Sequence, residues 1–532
     1  MEKQAPSIFN DVIGPVMRGP SSSHTAASVR IATMARDILG KPLKKAVFEF
    51  DPKGSLATTF DGQGSAMGLA AGFLGFRMED ERMKDALEIA RDSGLQLEFI
   101  VAPYENDHPN TYKMRLTASD GESIDMVAIS TGGGAIEFTS FNGFSISALG
   151  DCHEAFLFID PLDASKEKKV SELLEASGRV DHSRFSENGK RCLLNIKSSA
   201  GPLEDLAEQL GQMAINGRTH CAGPVMPVLS RKNLKVPFLS AEEALREGKG
   251  MLPWEAAAFY ESQRSGFSVD KVLSMMQEIV ETMDHSIRGG LEGNEYSDRL
   301  IGQQSHLIER AMKSGRLIGD PLVNKIVAAT MAMMEVKSSL GVIVAAPTAG
   351  SCATLPGTII TTGKEMGLDY TEMAKAMLVA GLIGVFIARK STFAAELAGC
   401  QAECGSATGM AAAALVQMAG GSLKESFDAA SMALQNIFGL ACDPVANRVE
   451  VPCLGKNIMA GVNALASANM ALAGVDAVIP LDEVITAMDQ TGRSLPYEIR
   501  CTGYGGLSTT PTAIRLEKEL KAKAENRSNP VS

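Results

Sequence analysis

Three cysteines in the C-terminal half of the chain are placed where their thiols could meet at one point. Cys400 lies in Ala-Gly-Cys-Gln-Ala-Glu, Cys442 in Ala-Cys-Asp-Pro-Val and Cys453 in Val-Pro-Cys-Leu. The prolines beside Cys442 and Cys453 indicate turns, and sulfurs on turns can converge to hold a metal cluster. The spacing also suits three packed side chains, because free cysteine is among the most buried residue types. From the cysteines alone, both interpretations stay open.

A histidine surrounded by hydroxyl groups stands near the N terminus, in Gly19-Pro-Ser-Ser-Ser-His-Thr25, just before a helical pattern. There His24 can serve as an acid or a base, and the hydroxyls and first helical amides can hold a carboxylate. The same residues also describe a helix N-cap with a histidine on the surface. Taken alone, the segment favours the N-cap.

A glycine-rich segment, Ala346-Pro-Thr-Ala-Gly-Ser-Cys-Ala-Thr-Leu-Pro-Gly357, follows an apolar run and precedes a helical pattern. Backbone amides at such a turn favour an anion, for example a substrate carboxylate. A tight connection between two helices explains the segment equally well. Because no Lys-Ser or Lys-Thr follows the glycines, a nucleotide-binding phosphate loop is disfavoured.

The composition describes a large globular chain that must position these residues. A length of 532 residues predicts several domains, and 45% hydrophobic with 21% charged residues predicts a sizeable core. The net charge of −12 provides no basic surface for nucleic acid. No signal-like segment opens the chain, and the apolar stretches 376–388 and 458–480 suit buried helices better than membrane spans. We therefore expect a cytoplasmic protein with neither a nucleic-acid nor a membrane partner.

Hydrophobic patterning divides the chain into four parts. Residues 1–150 mix strand and helix signals and predict an α/β (α+β) domain. Residues 151–228 follow the order βαββαβ, which is typical of a small ferredoxin-like domain. A linker with short helices is predicted over 229–268. Residues 269–532 predict an all-helical domain that begins at the N-cap Ser268.

In combination, these motifs resemble the iron-sulfur L-serine dehydratases that carry a β domain followed by an α domain in a single chain. The resemblance covers most of residues 7–515, and several uncommon motifs occur in the same order. Besides the segments above, the motifs are Gly54-Ser-Leu-Ala57, His108-Pro-Asn-Thr111, Ser130-Thr-Gly-Gly-Gly134, Gly399-Cys-Gln-Ala-Glu403, Cys442-Asp-Pro-Val445, Val451-Pro-Cys453, Gly505-Gly506-Leu507 and Thr510-Pro-Thr512.

The resemblance implies a [4Fe-4S] cluster held by Cys400, Cys442 and Cys453 in the all-helical domain. It also implies a carbon-oxygen lyase, an L-serine ammonia-lyase that forms pyruvate and ammonia. Three thiolates leave one iron open, and that iron can bind the substrate hydroxyl as a Lewis acid. Such help is needed because hydroxide is a poor leaving group and the α-proton of an amino acid is weakly acidic.

The other expected site residues come from two segments that must meet across a domain boundary. We expect His24 to be the acid or base, with Ser23 and Thr25 beside it in the catalytic group. The residues expected to bind the amino acid substrate are Ser21, Ser22, Gln63, Thr348, Ala349 and Gly350, of which the last three are the candidates for carboxylate contacts.

The chain departs from the family pattern at several positions. Gln63 replaces a histidine that is often present, and because an amide cannot move a proton at neutral pH, either His24 does both jobs or the substrate is not ordinary serine. Lys337 stands where the pattern has asparagine. Some members end in a cysteine that closes the open iron, whereas this chain ends in Asn-Pro-Val-Ser, so we do not expect that self-inhibition. Three further cysteines could be thiols near the site, although a small packed side chain is favoured for each: Cys352, Cys404 and Cys501.

Three functional alternatives remain at this level. The same chemistry could act on another β-hydroxy amino acid, or the fold could serve a non-catalytic amino acid-sensing protein. A pyridoxal phosphate enzyme is disfavoured because no lysine lies in a phosphate-cradling context. Residues 151–228 occupy the place of an amino acid-binding (ACT-like) regulatory domain in some relatives, although a spacer would serve as well. We expect a homodimer, since twofold assemblies are the commonest.

Overall fold

The computed structural model describes residues 5–105, 107–159, 164–188, 191–213, 218–294, 296 and 298–528. In this part of the chain, α-helices and three β-sheets form a mixed architecture. The strands concentrate in the first 222 residues and the helices in the rest. The expectation of a mixed α/β chain that becomes helical toward the C terminus is therefore confirmed, whereas the predicted domain boundaries stay predictions.

The first large sheet lies in the N-terminal part of the chain. Its elements, with the short strand that precedes them, are β1 (Val16–Arg18), α1 (Ala27–Leu39), β2 (Leu43–Phe50), α2 (Leu56–Thr59), α3 (Ser65–Leu74), α4 (Ala86–Asp92), β3 (Gln96–Val101), β4 (Thr111–Ala118), β5 (Ser123–Gly132), β6 (Ala135–Phe141) and β7 (Phe144–Ala148). Six strands form the sheet in the order β3-β2-β4-β5-β6-β7. Only β2 and β3 run parallel; the other neighbours are antiparallel. Phenylalanines such as Phe48 and Phe138 pack with Ile31 of α1 in one core.

The second large sheet contains four strands and follows the predicted βαββαβ order. Its elements are β8 (His153–Ile159), α5 (Ala164–Ser177), β9 (His182–Asn188), β10 (Arg191–Ser198), α6 (Glu204–Met213) and β11 (Arg218–Ala222). The strands lie in the order β11-β8-β10-β9 and are all antiparallel. Apolar residues of α5 and α6 pack on one face of this sheet.

The remaining elements are almost all helices. They are α7 (Ala241–Glu247), α8 (Pro253–Ser265), α9 (Val269–Glu292), α10 (Ser305–Lys313), α11 (Pro321–Ser338), β12 (Val342–Val344), α12 (Thr361–Glu365), α13 (Tyr370–Lys390), α14 (Ala395–Ala398), α15 (Cys404–Met418), α16 (Leu423–Gln435), α17 (Val451–Leu472), α18 (Leu481–Ser494) and α19 (Pro511–Ser528). As predicted, the Ser268 hydroxyl caps α9 by accepting a hydrogen bond from the Lys271 amide at 3.2 Å.

The region 229–268, predicted as a linker with short helices, contains α7 and α8, and Ala257 and Tyr260 of α8 are fully buried. One expectation about this half differs from the structure. The apolar stretch 458–480, predicted as a buried helix, leaves helical structure after Leu472 and has apolar residues in solvent, with Val478 80% exposed. The alternation of small and large apolar residues did not reveal which face of this stretch is covered.

Within the described residues, one helix, α13, is long and apolar enough to cross a membrane. It has 21 residues, and 78% of its most apolar window is buried inside the protein. The helix lies against α9 and α15 in the largest core. Burial among other helices is the ordinary environment of such an apolar helix in a protein core.

The N-terminal segment packs against the helical half rather than against its own sheet. A single π-helical turn, Ile8–Val12, lies on α13, where Gly381 and Gly384 leave space for the side chains of Ile8 and Val12. After it, β1 pairs with β12 in an antiparallel two-stranded sheet. The chain therefore enters the N-terminal sheet from a position fixed on the helical half, and β12 is the exception to the all-helical expectation.

We predict that Gly384→Ala destabilises the protein by about 1–3 kcal/mol, because a Cβ there would lie 2.1 Å from Val12 Cγ1. Gly289→Ala in α9 is the matched control, since its Cβ would meet nothing within 4 Å. Removing a helical glycine there should stabilise the protein by about 0.5–1 kcal/mol. Urea unfolding of both variants checks the difference, and equal effects would contradict this packing.

Candidate active site

Three buried thiols come from three separate chain segments and converge. Cys400 follows α14, directly after Gly399, whose φ of 70° turns the chain. Cys442 lies in an extended stretch that donates its amide to Ile499 O at 2.8 Å. Cys453 lies in the first turn of α17. The thiols of Cys442 and Cys453 both lie beside the Cys400 sulfur. The structure thus brings together the three cysteines singled out in the sequence.

A carboxylate and an ammonium group border this thiol cluster. Ligand atoms of Cys400, Cys442 and Glu403 all lie within 4.8 Å of one another. Lys456 donates to Cys400 Sγ at 3.7 Å and to Asp443 Oδ1 at 2.8 Å. The pKa of the Cys400 thiol is well below its usual range, first because the neighbouring thiols donate to it and then because Lys456 is close. The site therefore favours a thiolate, the form that binds metal, at Cys400, whereas contact with Cys400 and burial raise the pKa values of the Cys442 and Cys453 thiols.

A fourth thiol, that of Cys501, lies beside Cys442. The Cys501 amide donates to Cys442 O at 2.9 Å, and the two side chains are in contact. Cys501 has a φ of 61°, in the left-handed region that a cysteine rarely adopts. The sequence favoured a packed side chain here and left a nearby thiol open; the thiol is packed, and it is packed against Cys442. Its position followed from no spacing pattern.

His24 lies in a π-helical turn, Ser22–Ala26, that leads into α1 and is completely buried. Its Nε2 is 2.8 Å from Thr59 Oγ1, and that hydroxyl donates its own proton to Ser55 O at 2.6 Å. Thr59 must therefore accept from Nε2-H, which leaves Nδ1 as the basic nitrogen. Burial lowers the pKa of His24 to about 3, so the imidazole is neutral at neutral pH. The surface N-cap interpretation is wrong.

The glycine-rich segment joins the histidine turn to the thiol cluster. The Ala349 amide donates to Ser22 Oγ at 3.1 Å, and Thr348 Oγ1 donates to Glu403 Oε1 at 2.6 Å. Gly350 allows this approach, because a Cβ there would lie 2.7 Å from Glu403 Oε1. The Ala349 and Gly350 amides, both expected to contact a carboxylate, are already donated to Ser22 and Thr348.

The other expected residues lie in the same region. Thr25 Oγ1 donates to Gln63 O at 3.0 Å, and Gln63 Nε2 donates to Cys501 Sγ at 3.8 Å. Ser23 is buried in the histidine turn, and Ser21 Oγ lies 3.2 Å from His24 Nδ1. All of the expected positions therefore line one buried region, although their roles stay predictions.

Two buried glutamates of the site were not singled out in the sequence. Burial, with the charge of Cys400, raises the pKa of Glu403 to about 8, although Thr348 opposes the shift. Glu396 lies on α14, with Oε1 4.0 Å from His24 Nδ1, and burial raises its pKa as well. Both glutamates lie within four positions of Cys400 in a stretch of small residues. This proximity is the feature of the sequence that could have indicated them as site residues.

Several polar atoms in the neighbouring motifs are buried without a hydrogen-bond partner. They are Ser55 Oγ, both amide atoms of Asn110, Ser130 Oγ and Glu396 Oε2. The Asn110 amide lies beside Glu396 without reaching hydrogen-bond geometry. Because most buried polar atoms in proteins are paired, such a group is typical of a site that a ligand completes.

Comparison with known proteins agrees with this organisation. Residues 183–508 match the family described as serine dehydratase alpha chain. The chain is 39% identical over 251 residues to the probable L-serine dehydratase alpha chain of Bacillus subtilis, covering 47% of this chain and 84% of that one. It is 42% identical over 153 residues to the probable beta chain from the same organism, covering 29% and 67%. A single-chain L-serine dehydratase of Streptomyces coelicolor is 27% identical over 500 residues, covering 92% and 96%.

These matches and the buried site define an enzyme, a hydro-lyase that eliminates water from its substrate. The chain belongs to the serine dehydratase alpha chain family, and its similarity extends to a beta chain as well. The resemblance drawn from the motifs is therefore confirmed.

We predict that His24 makes the stability of the protein sensitive to mild acid. Its pKa falls from 6.5 to about 3 on folding, so between these values the unfolded chain binds a proton that the folded chain does not. The free energy of unfolding should therefore decrease as the pH falls, by about 2 kcal/mol between pH 6.5 and 5.

The measurement compares urea unfolding of the wild type and His24→Gln at both pH values. The variant should lose this part of the pH dependence, whatever its stability at pH 6.5. His285→Gln, at an exposed histidine, is the control and should keep the wild-type slope. An unchanged slope in His24→Gln would show that His24 is not held neutral by burial.

Proposed function

We propose that this protein is an L-serine dehydratase, which converts L-serine to pyruvate and ammonia with the help of a [4Fe-4S] cluster. The observation that supports this most strongly is that Glu396, 4.0 Å from the buried neutral His24 of a distant segment, also lies within electrostatic range of Cys400 in the buried thiol cluster. The names of the relatives, which include L-serine dehydratases of one and of two chains, support the substrate.

The donor set fits an iron-sulfur cluster. Soft thiolates from Cys400, Cys442 and Cys453 are the usual ligands of such a cluster, and all three are buried. Lys456 is positioned to offset the negative charge that the thiolates bring into the interior. When bound, a cluster with three cysteine ligands supplies a Lewis-acidic iron for the substrate hydroxyl.

The protein's own contribution to the reaction centres on His24. Its neutral imidazole presents the lone pair of Nδ1 and is fixed through Nε2-H by Thr59. A neutral imidazole can accept the α-proton of the amino acid, so the geometry favours a base over an acid at the start of the cycle. Loss of water then gives aminoacrylate, which tautomerises to an imine and is hydrolysed to pyruvate and ammonia.

The unpartnered polar atoms supply the groups for binding a small polar substrate. Ser55, Asn110 and Ser130 offer donors and acceptors to the amino and carboxylate groups of serine. Because the Ala349 and Gly350 amides are already engaged, we assign carboxylate recognition to these side chains first. The buried position also keeps water away from the reacting atoms.

Gln63 motivates the second candidate, the same elimination on another β-hydroxy amino acid. The side-chain amide of Gln63 donates to Cys501 Sγ, and its backbone carbonyl accepts from Thr25 Oγ1. The residue therefore holds the histidine segment near the thiols. Pyruvate release from L-serine, compared with the products from a panel of such amino acids, separates the two candidates. Serine binding without ammonia release would instead favour the amino acid-sensing alternative.

We predict that anaerobically prepared protein contains iron and sulfide and releases pyruvate from L-serine. Cys453→Ser should lose most of the iron and the activity together, because two thiolates cannot replace three. Cys221→Ser, in the second sheet, is the matched control and should retain both. Iron and sulfide analysis on the same samples as the serine assay is the measurement; an active, iron-free protein would contradict the proposal.

We also predict that Lys456→Met lowers the affinity for the cluster about 10-fold, the size of effect expected for a partner of a metal ligand. Removing the ammonium leaves the Cys400 thiolate without its nearby positive charge. Iron retained after dialysis against a chelator measures the effect. Lys325→Met, at a surface lysine paired with Glu365, serves as the control.

The remaining expectations are proposals as well. We propose that the protein is cytoplasmic. We also propose that it forms a homodimer, which sedimentation analysis of the full chain tests. Residues 151–228 are proposed to regulate the enzyme by binding an amino acid, which calorimetry with the iron-free protein would detect.

A further inference from the structure

Glu396 is a buried carboxyl group that the mechanism above does not use. Its side chain is 4% exposed and lies on the short helix α14, four residues before Cys400. Oε1 is 4.0 Å from His24 Nδ1, and Oε2 has no hydrogen-bond partner. A buried carboxyl with a free oxygen is costly for the fold unless a partner charge or a ligand compensates it.

The nitrogen that faces Glu396 is the one that must take up the proton. Because Thr59 accepts from Nε2-H, Nδ1 is the nitrogen whose lone pair can take up a proton. Ser21 Oγ is the other group beside Nδ1, at 3.2 Å, and a hydroxyl carries no charge. When Nδ1 gains a proton, the resulting imidazolium is fully buried and needs an anion within a few ångströms.

The other ionisable groups near Glu396 do not provide this charge. Glu403 is hydrogen-bonded to Thr348, and the Tyr112 hydroxyl contacts Ser28 and Ser65. Cys400 and Cys501, which also lie within electrostatic range, belong to the thiol side of the site. Among the described residues, Glu396 is the one carboxylate within ion-pair distance of His24.

We propose that Glu396 is a positioning residue that neutralises the imidazolium formed at His24 during the elimination. This inference rests on the proposed dehydration. The α C–H bond breaks and its proton forms the Nδ1–H bond; the electron pair becomes the Cα–Cβ double bond as the Cβ–O bond breaks. The proton on Nδ1 then passes to the departing hydroxide, which leaves as water, and His24 returns to its neutral form.

This arrangement explains how one histidine can both remove the α-proton and protonate the departing hydroxide. A group that first accepts a proton and then donates it must stay charged between the two steps. Glu396 lowers the energy of that charged state, and each of the two groups ionises more readily when the other is charged. Gln63 cannot supply this charge, since an amide has none at neutral pH.

The first test is Glu396→Gln, which keeps the shape and removes the charge. We expect kcat for L-serine to fall about 100-fold, in the range of general acid-base effects, while KM changes little. Iron and sulfide content should stay at the wild-type level, because Glu396 is not one of the proposed cluster ligands. Asp284→Asn is the control, a buried carboxyl of α9 paired with Lys364, and it should leave kcat unchanged.

The second test is chemical rescue of Glu396→Ala. Formate should restore activity at least about 10-fold, because a small carboxylate can enter the space and carry the missing charge. Formamide, which has a similar shape and no charge, should restore none. A role in packing alone would give no difference between the two additives, so this readout separates electrostatic from structural effects even where the alanine variant is less stable.

The outcomes are distinct. Wild-type turnover with an unchanged kcat in Glu396→Gln would overturn this inference and leave the proposed function intact, as would rescue by formamide to the same extent as formate. A wild-type protein that contains the cluster but releases no pyruvate or ammonia would overturn both. A reduced kcat with normal iron and rescue by formate alone is the result we expect.

Discussion

The attachment of the N-terminal segment to the helical half is the constraint on which the site depends. Ile8 and Val12 occupy the space left by two glycines of α13, and β1 pairs with β12 a few residues later. This attachment fixes the start of the turn that carries His24 against the part of the chain that carries the thiols. The contact between Ser22 and Ala349, 327 residues apart, closes the arrangement. Neither half alone contains a complete set of reacting groups, so without this attachment the groups would not meet.

The second constraint is electrostatic. Three thiols, two glutamates and a histidine share a buried region, where each isolated charge would be costly. The structure meets this cost in pairs: Lys456 lies by Cys400, Thr348 donates to Glu403, and Glu396 faces His24. The pKa of His24 is lowered while those of Glu396 and Glu403 are raised, so these three groups favour their neutral forms until a metal or a substrate changes the balance. Such shifts are typical of functional sites.

Much of this could be predicted from the sequence, and the part that could not has a physical reason. Alternation and helical periodicity are local, so the strands, the βαββαβ order and the N-cap at Ser268 follow from neighbouring residues. The motifs likewise indicated the three cysteines and His24. Glu396 was missed, and Cys501 was not assigned to the thiol cluster, because their neighbours are set by packing between distant segments, which no spacing records. For the same reason the burial of α8 could not be predicted: a short apolar helix is recognised as core only once its partners are known.

The unpartnered polar atoms show how the fold accommodates this chemistry. Unsatisfied groups at Ser55, Asn110, Ser130 and Glu396 each reduce stability, and a sequence selected for stability alone would replace them with packed apolar side chains. The large helical core, in which α13 and its neighbours are almost wholly buried, offsets this cost. The rigid helices also hold the short, irregular segments that bear the reacting groups, so these segments need no stability of their own. This separation between stable cores and irregular site segments explains why the site lies at the junction of the two halves. Only at the junction can loops from both halves reach one point while each half keeps an intact core.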